Sequence, residues 1–416
     1  MDEKSLIDVR RQIEELVESG EVDELQELLS RLHPSDIAFL FPKLDRLEQN
    51  FVWDLLPEDT HSDVLVELDE TSQEKLLDTL SEGEIGRIVD DLESDDAADV
   101  IAALDEEKAQ KVLETLDLES RREVRRLLDY DEDTAGGIMA LEVVAVQETD
   151  SVQQAIQKIR DLHETEGIED IYTVYVISQD GVLKGFVQLR QLVLNRADMS
   201  IREIMDPDVI SVPVHLDQEE VAVMVRKYDL VSVPVVDEFN RLIGRITVDD
   251  IVDVIAEEAE EDLSIIAGTG EEEPGERSTF KVSRERLPWL LVGLGGGLVS
   301  ATVLHHFQAT LLQVIALAFF VPVITAMGGN TAIQSASIVV RGLATGEIDW
   351  RDFFVRIWKE FRIALLNGLI LGLVICSVVA LWLKDTQLSL LIGLILLVNI
   401  SIATLIGTAV PLIMKR

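Results

Sequence analysis

The chain has 416 residues with 78 acidic and 36 basic side chains, a formal net charge of −42, yet 47% of it is apolar and its mean hydropathy is +0.20. The charge divides by region: residues 1–280 hold 72 acidic and 25 basic groups (net −47), whereas 281–416 hold 6 and 11 (net +5). This division excludes a single water-soluble domain, and the acidic part excludes a nucleic-acid binder, because it would repel a phosphate backbone.

The N-terminus, MDEKSLIDVR, lacks a basic segment leading into an apolar one, so no cleaved signal peptide is expected and the acidic part should stay in the cytosol. Leu32, Leu44, Leu56, Leu68, Leu80, Leu92, Leu104, Leu116 and Leu128 recur every twelve residues. Twelve residues suit a helix of about nine plus a turn, so residues 1–133 are expected to stack as an α-helical solenoid. The turns carry helix-opening residues, among them His33-Pro34-Ser35-Asp36, Pro57-Glu58-Asp59, Ser81-Glu82-Gly83 and Ser94-Asp95-Asp96. A single unit cannot bury its leucine alone, which favours a curved surface over a catalytic pocket.

From Ile138 the period changes. Short Val/Ile runs at 143–146, 171–177 and 231–236 alternate with helical segments at 152–163 and 219–228. YVISQDGVLKGFVQLRQLV (175–193) matches PVVDEFNRLIGRITVDDIV (234–252), and this duplication resembles a tandem pair of α+β CBS domains, placed at 134–200 and 201–256. In that family a Ser/Thr-x-x-Asp step holds an adenosine nucleotide's ribose and phosphate. Thr247 and Asp250 fit the step, Gln188 to Gln191 of the first half do not, and Arg190 is placed to meet a phosphate. ATP is the implied ligand, with a purely structural pair as the alternative.

An acidic connecting helix and linker occupy 249–280. Eight carboxylates fall within 249–262, and Asp250, Asp253, Glu257, Glu258, Glu261 and Asp262 recur at three- or four-residue steps, which makes one anionic helix face. Like charges at i,i+4 destabilise a helix by ~0.2–0.5 kcal/mol per pair, so a positive partner is wanted opposite. A solvated connector is the bland reading. The acidity of the neighbouring domains tips the balance toward bridging cations, and oxygen donors without cysteine suit Mg²⁺ or Ca²⁺ rather than zinc or copper.

Leu287–Leu304, Leu311–Val340, Ile363–Leu383 and Leu388–Met414 contain no charged residue and are long enough to cross a bilayer, which predicts an all-α transmembrane bundle of four helices over 281–416. Lys281, Arg284 and Arg286 before the first span, five cations between Arg341 and Arg362, and Lys415 with Arg416 place those connections and the N-terminal domains in the cytosol. WRDFFVRIWKEFR alternates aromatics and cations as an interfacial helix would. The second span contains Pro322, Gly328, Gly329 and Asn330 within PVITAMGGNTAIQSAS. Such backbone and polar groups should face protein or a water-filled path; close helix packing is the alternative. Gly293, Gly295, Gly296 and Gly297 of the first span are expected only to let backbones approach. Cys376 is expected to pack as a small hydrophobe. No Ser/His/Asp set, phosphate loop or HExxH motif points to an enzyme.

The order of parts, together with PVITAMGGNTAIQSAS and RGLATGE, resembles the MgtE family of magnesium channels along the whole chain. The resemblance implies a homodimer in the plasma membrane that passes Mg²⁺ along an axial pore and is closed by cytosolic Mg²⁺ between the solenoid, the CBS pair and a "plug" helix. Carried over by motif, the metal ligands fall on Asp250, Asp253, Glu258, Glu261 and Asp262 of the plug helix, Glu219 and Asp229 of the second CBS half, and Asp95 and Asp99 of the solenoid. The pore-lining turn falls on Gly328, Gly329 and Asn330. The family has a fifth transmembrane helix bearing a pore aspartate; this sequence ends after the fourth, which is read as a truncation. The rival reading is a non-conducting, membrane-anchored sensor of divalent cations or nucleotides.

Overall fold

The twelve-residue spacing becomes a train of short helices in the computed structural model, which describes residues 3–166, 171–267, 279–344, 348 and 353–414. These are α1 (Glu3–Ser19), α2 (Val22–Leu29), α3 (Pro34–Leu40), α4 (Arg46–Leu55), α5 (His61–Val66), α6 (Glu70–Thr79), α7 (Glu82–Asp90), α8 (Ser94–Ala102), α9 (Glu106–Thr115) and α10 (Ser120–Leu127). Pro34, Arg46, Glu58, Glu70, Glu82, Ser94 and Glu106 each open a helical segment, twelve residues apart, with Glu58 starting a 3₁₀ turn before α5. The repeat leucine closes its helix rather than sitting in the middle. Leu56, Leu80 and Leu116 are C-cap residues, and packing them at the turn lets one buried side chain serve two successive helices. Leu128, the last of the series, is 40% exposed.

Two three-stranded sheets follow, built alike. The first joins β1 (Ala145–Gln147), β2 (Thr173–Ile177) and β3 (Leu183–Gln188), with α11 (Val152–Glu166) between β1 and β2 and α12 (Leu189–Leu194) after β3. After α13 (Ile201–Ile204), the second sheet joins β4 (Val212–Pro213), β5 (Ser232–Val236) and β6 (Leu242–Thr247), with α14 (Gln218–Tyr228) between β4 and β5. In each, the first pairing is parallel, the second antiparallel, and the register shifts at the same place, Val176/Ile177 and Val235/Val236. The hairpin turns need a left-handed residue at equivalent positions: Gly181 (φ 79°) fills one and Asn240 (φ 59°) the other. The halves meet through these turns, where Leu183 N–H donates to Asn240 O (2.9 Å) and Leu242 N–H to Gly181 O (3.1 Å).

One hydrophobic core runs from Leu6 of the solenoid to Val254 and includes Val212, Val221, Val233 and Ile246 of the second half. The first half has its own core around Val146, Val152, Val174 and Leu192. The segment after residue 134 joins the second half: Ala135 N–H donates to Leu216 O (2.7 Å), Gly136 N–H to Val214 O (2.9 Å), and Ala140 pairs with Arg245 in both directions at 2.8 Å. The strands of the second sheet have free edge groups to satisfy, and this stretch supplies partners. A division at 134 therefore gives to the first half residues that the fold uses on the second.

Contacts cluster into two units, Met1–Glu257 and Glu258–Arg416, and α15 (Val248–Ala267) runs from one into the other. The second unit contains α16 (Thr279–His306), the short α17 (Gln308–Gln313), α18 (Ala316–Ala344), α19 (Phe353–Leu383) and α20 (Thr386–Met414). Four of these helices are long and apolar enough to cross a membrane. α20 packs against both α18 and α19. A Cβ on Gly372 would lie 2.9 Å from the carbonyl of Gly393, so α19 and α20 touch backbone to backbone there. Along α16, residues 286–306 are exposed throughout. The aromatic and basic stretch expected to lie along the interface instead forms, from Phe353, the first turns of α19, continuous with its span. Continuing the helix satisfies the backbone groups that a break at the membrane surface would expose.

Candidate functional site

The acidic residues of α8 meet those at the start of α15, and the way α8 begins explains why. At most other positions of the repeat, Pro57 excepted, the residue after the leucine caps the next helix with its own side chain. Asp45 accepts from the N–H groups of Leu47 and Glu48, Asp69 from Ser72, Ser81 from Glu84, and Asp105 from Glu107 and Lys108. Glu93 occupies this position before α8 and makes no cap bond. Its two carboxylate oxygens accept from Nη2 of Arg245 at 2.9 and 3.0 Å. The cap comes from a distant residue: Ser94 donates its N–H (3.1 Å) and Oγ–H (2.8 Å) to Glu142, and Ser94 Oγ accepts from Leu141 N–H (2.8 Å). The solenoid is thereby docked on the CBS pair at the first turn of α8.

This docking crowds carboxylates together. Burial first, then Asp250, Asp96 and Glu93 beside it, hold the Asp95 carboxyl well above the usual range. Asp96 is pushed up to about 7 by burial, then by Asp250, Asp99 and Glu93. Asp99 also rises to about 7, through protein packed around its carboxyl and then Glu132, Glu257 and Asp250. Asp99 retains access to solvent, which screens its repulsion, so the buried Asp95 carries the stronger frustration. Burial raises Asp250 too, although bonds from Thr247 and the nearby Arg245 partly counter it. Asp253 is raised by burial and by Glu67 at the C-terminal end of α5.

Asp250 has a second duty. Its Oδ2 accepts both the N–H (2.9 Å) and the Oγ–H (2.8 Å) of Thr247, so the Thr-x-x-Asp step forms a helix cap for α15. Gln188 and Gln191 build the same cap for α12 from neutral groups. Arg190 is exposed in the first turn of α12. Glu219 and Asp229 lie at opposite ends of α14, ten residues and about 15 Å apart along the axis. No single ion can use both. Glu258 and Glu261 lie on the part of α15 that belongs to the second unit, and the side chain of Asp262 is outside the described residues.

Among the described residues, no group of three or more His, Cys, Asp or Glu side chains converges as a metal-binding cluster. The donors at the junction of α8 and α15 are nevertheless carboxylate oxygens, several of them short of water and facing one another. That chemistry fits Mg²⁺, which retains several of its waters and reaches protein carboxylates through one or two direct contacts or through water.

In the membrane unit, a cavity of about 330 Å³ is lined by Asn330, Thr331 and Gln334 of α18, Asn367 of α19 and apolar side chains including Met327 and Ile400. Asn330 thus lines a cavity whose walls are part polar and part apolar. The turn expected at Gly328, Gly329 and Asn330 does not form: α18 is unbroken from Ala316 to Ala344, with Pro322 inside it. A helix keeps its backbone groups bonded within the segment where lipid offers no partner. Asn399 Nδ2 donates to the carbonyl of Ile324 (2.8 Å), and a Cβ on Gly328 would lie 2.7 Å from that amide nitrogen. Gly328 therefore makes room for Asn399, while a Cβ on Gly329 would meet no atom within 4 Å. Buried Glu360 pairs with Arg356 at 3.0 Å near the start of α19.

Glu93, Glu142, Arg245, Asn367 and Asn399 were not singled out from sequence, and Asp96 only as a helix-opening residue. Four carried a signal: a glutamate where the repeat elsewhere places good caps, an arginine inside an apolar strand, and two lone asparagines in uncharged spans.

An acidic N-terminal unit and four long apolar helices define a multi-pass membrane protein. Residues 32–133 match the family described as the MgtE intracellular N domain, 201–257 the CBS domain, and 321–416 the family described as a divalent cation transporter. The magnesium transporter MgtE of Bacillus subtilis is 31% identical over 401 residues, 96% of this chain and 88% of that protein. Its namesake from Thermus thermophilus is 34% identical over 409 residues, 97% of this chain and 90% of that protein. The chain belongs to the MgtE family. The crystal structure of the cytosolic domain of the Mg²⁺ channel MgtE in complex with ATP is similar with a TM-score of 0.56 at 36% identity, covering 59% of this chain and 99% of that one. The soluble part of a magnesium transporter gives 0.55 at 31%, covering 61% and 99%.

Proposed function

We propose that this chain carries Mg²⁺ across the membrane and that Mg²⁺ on the cytosolic side closes it by completing the acidic junction of α8 and α15. The observation that carries this reading is the set of crowded carboxylates Asp95, Asp96 and Asp250, whose ionised forms are held at a cost where they meet. When bound, Mg²⁺ would supply positive charge between the two helices. Asp95, Asp96 and Asp99 of α8 and Asp250 of α15 would face such ions, one or two of them directly and the others through bound water. Asp253 and Glu67 form a further repelling pair that a cation would relieve. Glu258, Glu261 and Asp262 extend the same acidic helix, and Glu219 and Asp229 offer separate carboxylates on α14.

Transport itself would use α18. Asn330, Thr331, Gln334 and Asn367 present amide and hydroxyl groups to one cavity, which suits reading an ion through its hydration shell. We place the protein as a homodimer. Residues 286–306 of α16, exposed within one protomer, are then divided between lipid and the partner. ATP is a second proposed ligand, through Thr247, Asp250 and Arg190. It would compete with the cap bonds between Thr247 and Asp250.

Purified protein in liposomes should take up Mg²⁺, with a rate that falls as Mg²⁺ on the cytosolic face rises. Absence of flux at every cytosolic Mg²⁺ concentration would leave only a sensor.

A further inference from the structure

Arg245 sits where three parts of the cytosolic unit meet. On one side, its strand β6 pairs with β5 opposite Pro234; on the other, Arg245 exchanges both backbone bonds with Ala140 at 2.8 Å. Its side chain, only 6% exposed, leaves the sheet and holds both oxygens of Glu93 on the solenoid. Tyr175 of the first CBS half lies near enough to feel the guanidinium and bonds Ser232 at 2.8 Å. The strand thus fixes one positive charge at the edge of the acidic junction.

The largest charges acting on Asp95 are those of Asp250, Asp96 and Glu93, and the largest on Asp96 are those of Asp250, Asp99, Glu93 and Asp249, all negative, while Arg245 also interacts with Asp95. Arg245 acts with the opposite sign on Glu93 and Asp250. A guanidinium cannot lose its proton and is weakly hydrated, so this charge stays in place whatever the ion concentration. Cutting this pair, whose arginine is buried and whose glutamate is part-exposed, would leave Glu93 as one more uncompensated carboxylate.

We propose that Arg245 is a tethered counter-ion that holds α8 to the second CBS half before any metal binds, and so sets how much Mg²⁺ the junction requires to close. This rests on the Mg²⁺-responsive reading of the junction. Arg245 is a positioning residue in this role, since it acts on the carboxylates and touches no transported ion.

The test is hydrogen exchange of the α8 amides in the full-length protein, titrated with MgCl₂. Wild-type protein should gain protection with a defined midpoint. Arg245→Gln should raise that midpoint by roughly tenfold, as expected for loss of several charge contacts near a protein surface. Arg245→Lys keeps the charge and loses the fork, and its midpoint should stay within about threefold of wild type. Should Arg245→Gln fail to fold, Asp249→Lys at an exposed position supplies the reciprocal case: a second tethered cation should lower the midpoint by roughly tenfold. An unchanged midpoint in Arg245→Gln or Asp249→Lys, or a lysine variant as impaired as the glutamine one, overturns the counter-ion role. Absence of any Mg²⁺ response in the wild type would instead refute the Mg²⁺-responsive junction itself.

Discussion

Replacing Asp96 by asparagine should tighten the junction between α8 and α15 at neutral pH without Mg²⁺. In the docked state the Asp96 carboxyl is pushed from its ordinary 3.8 up to about 7, chiefly by burial and then by Asp250, Asp99 and Glu93. A raised carboxyl means that docking takes up a proton between those values. Docked stability therefore falls as pH rises from about 4 to about 7 and is flat above. The full shift corresponds to about 4 kcal/mol, and the solvent that reaches Asp96 reduces this to about 2 kcal/mol. Asparagine removes that penalty while keeping the size and one acceptor of the side chain. Exchange of the α8 amides, corrected for their intrinsic pH dependence, should be about thirtyfold slower in Asp96→Asn than in wild type at pH 7.5 without Mg²⁺. Its dependence on pH between 5 and 7 should become shallower by the share of Asp96, leaving that of the other raised carboxyls such as Asp99. Equal or faster exchange in the variant, with the wild-type slope retained, would refute the claim that ionised carboxylates hold this junction open.

Other substitutions test separate parts. Thr247→Val removes the Oγ–H bond to Asp250 Oδ2 while the backbone N–H bond remains, and should lower the thermal stability of the cytosolic unit by about 1 kcal/mol, read by calorimetry; an unchanged transition would show that the hydroxyl carries little of the cap. Asn399→Leu removes the bond to Ile324 O and should destabilise the membrane unit in detergent by ~0.6–1.7 kcal/mol. Gly328→Ala meets the Asn399 amide at 2.7 Å and should lower the melting temperature; in an Asn399→Ala background its additional cost should largely vanish. Replacing Asn367 with leucine removes one of the polar groups lining the cavity and should reduce Mg²⁺ flux in liposomes at least tenfold without changing its response to cytosolic Mg²⁺.

Much of this organisation is legible in the residues. The leucine period anticipated the solenoid because each helix must bury one side chain at every turn, and the internal match of 175–193 with 234–252 anticipated two sheets with the same register shift. Uncharged runs marked the four spans by length alone. What escaped was long-range: Glu93 meets Arg245 across 152 positions, and Ser94 meets Glu142 across 48. No local period encodes either pair. The failed cap at Glu93 was the visible trace, since glutamate is a poor substitute for the aspartate and serine used elsewhere in the repeat. The turn expected at Gly328 and Gly329 illustrates the opposite error. The family resemblance implied that turn, whereas between membrane helices Gly328 makes room for a neighbour, here Asn399, in keeping with the packing alternative.

The central claim is that crowded carboxylates sense Mg²⁺ and govern its passage. The direct measurement is Mg²⁺ flux into liposomes at low and high Mg²⁺ on the cytosolic face, for wild type and for Asp95→Asn/Asp250→Asn. Flux through the wild type should fall as cytosolic Mg²⁺ rises, and flux through the double variant should no longer depend on it. The same dependence in both proteins would contradict the account.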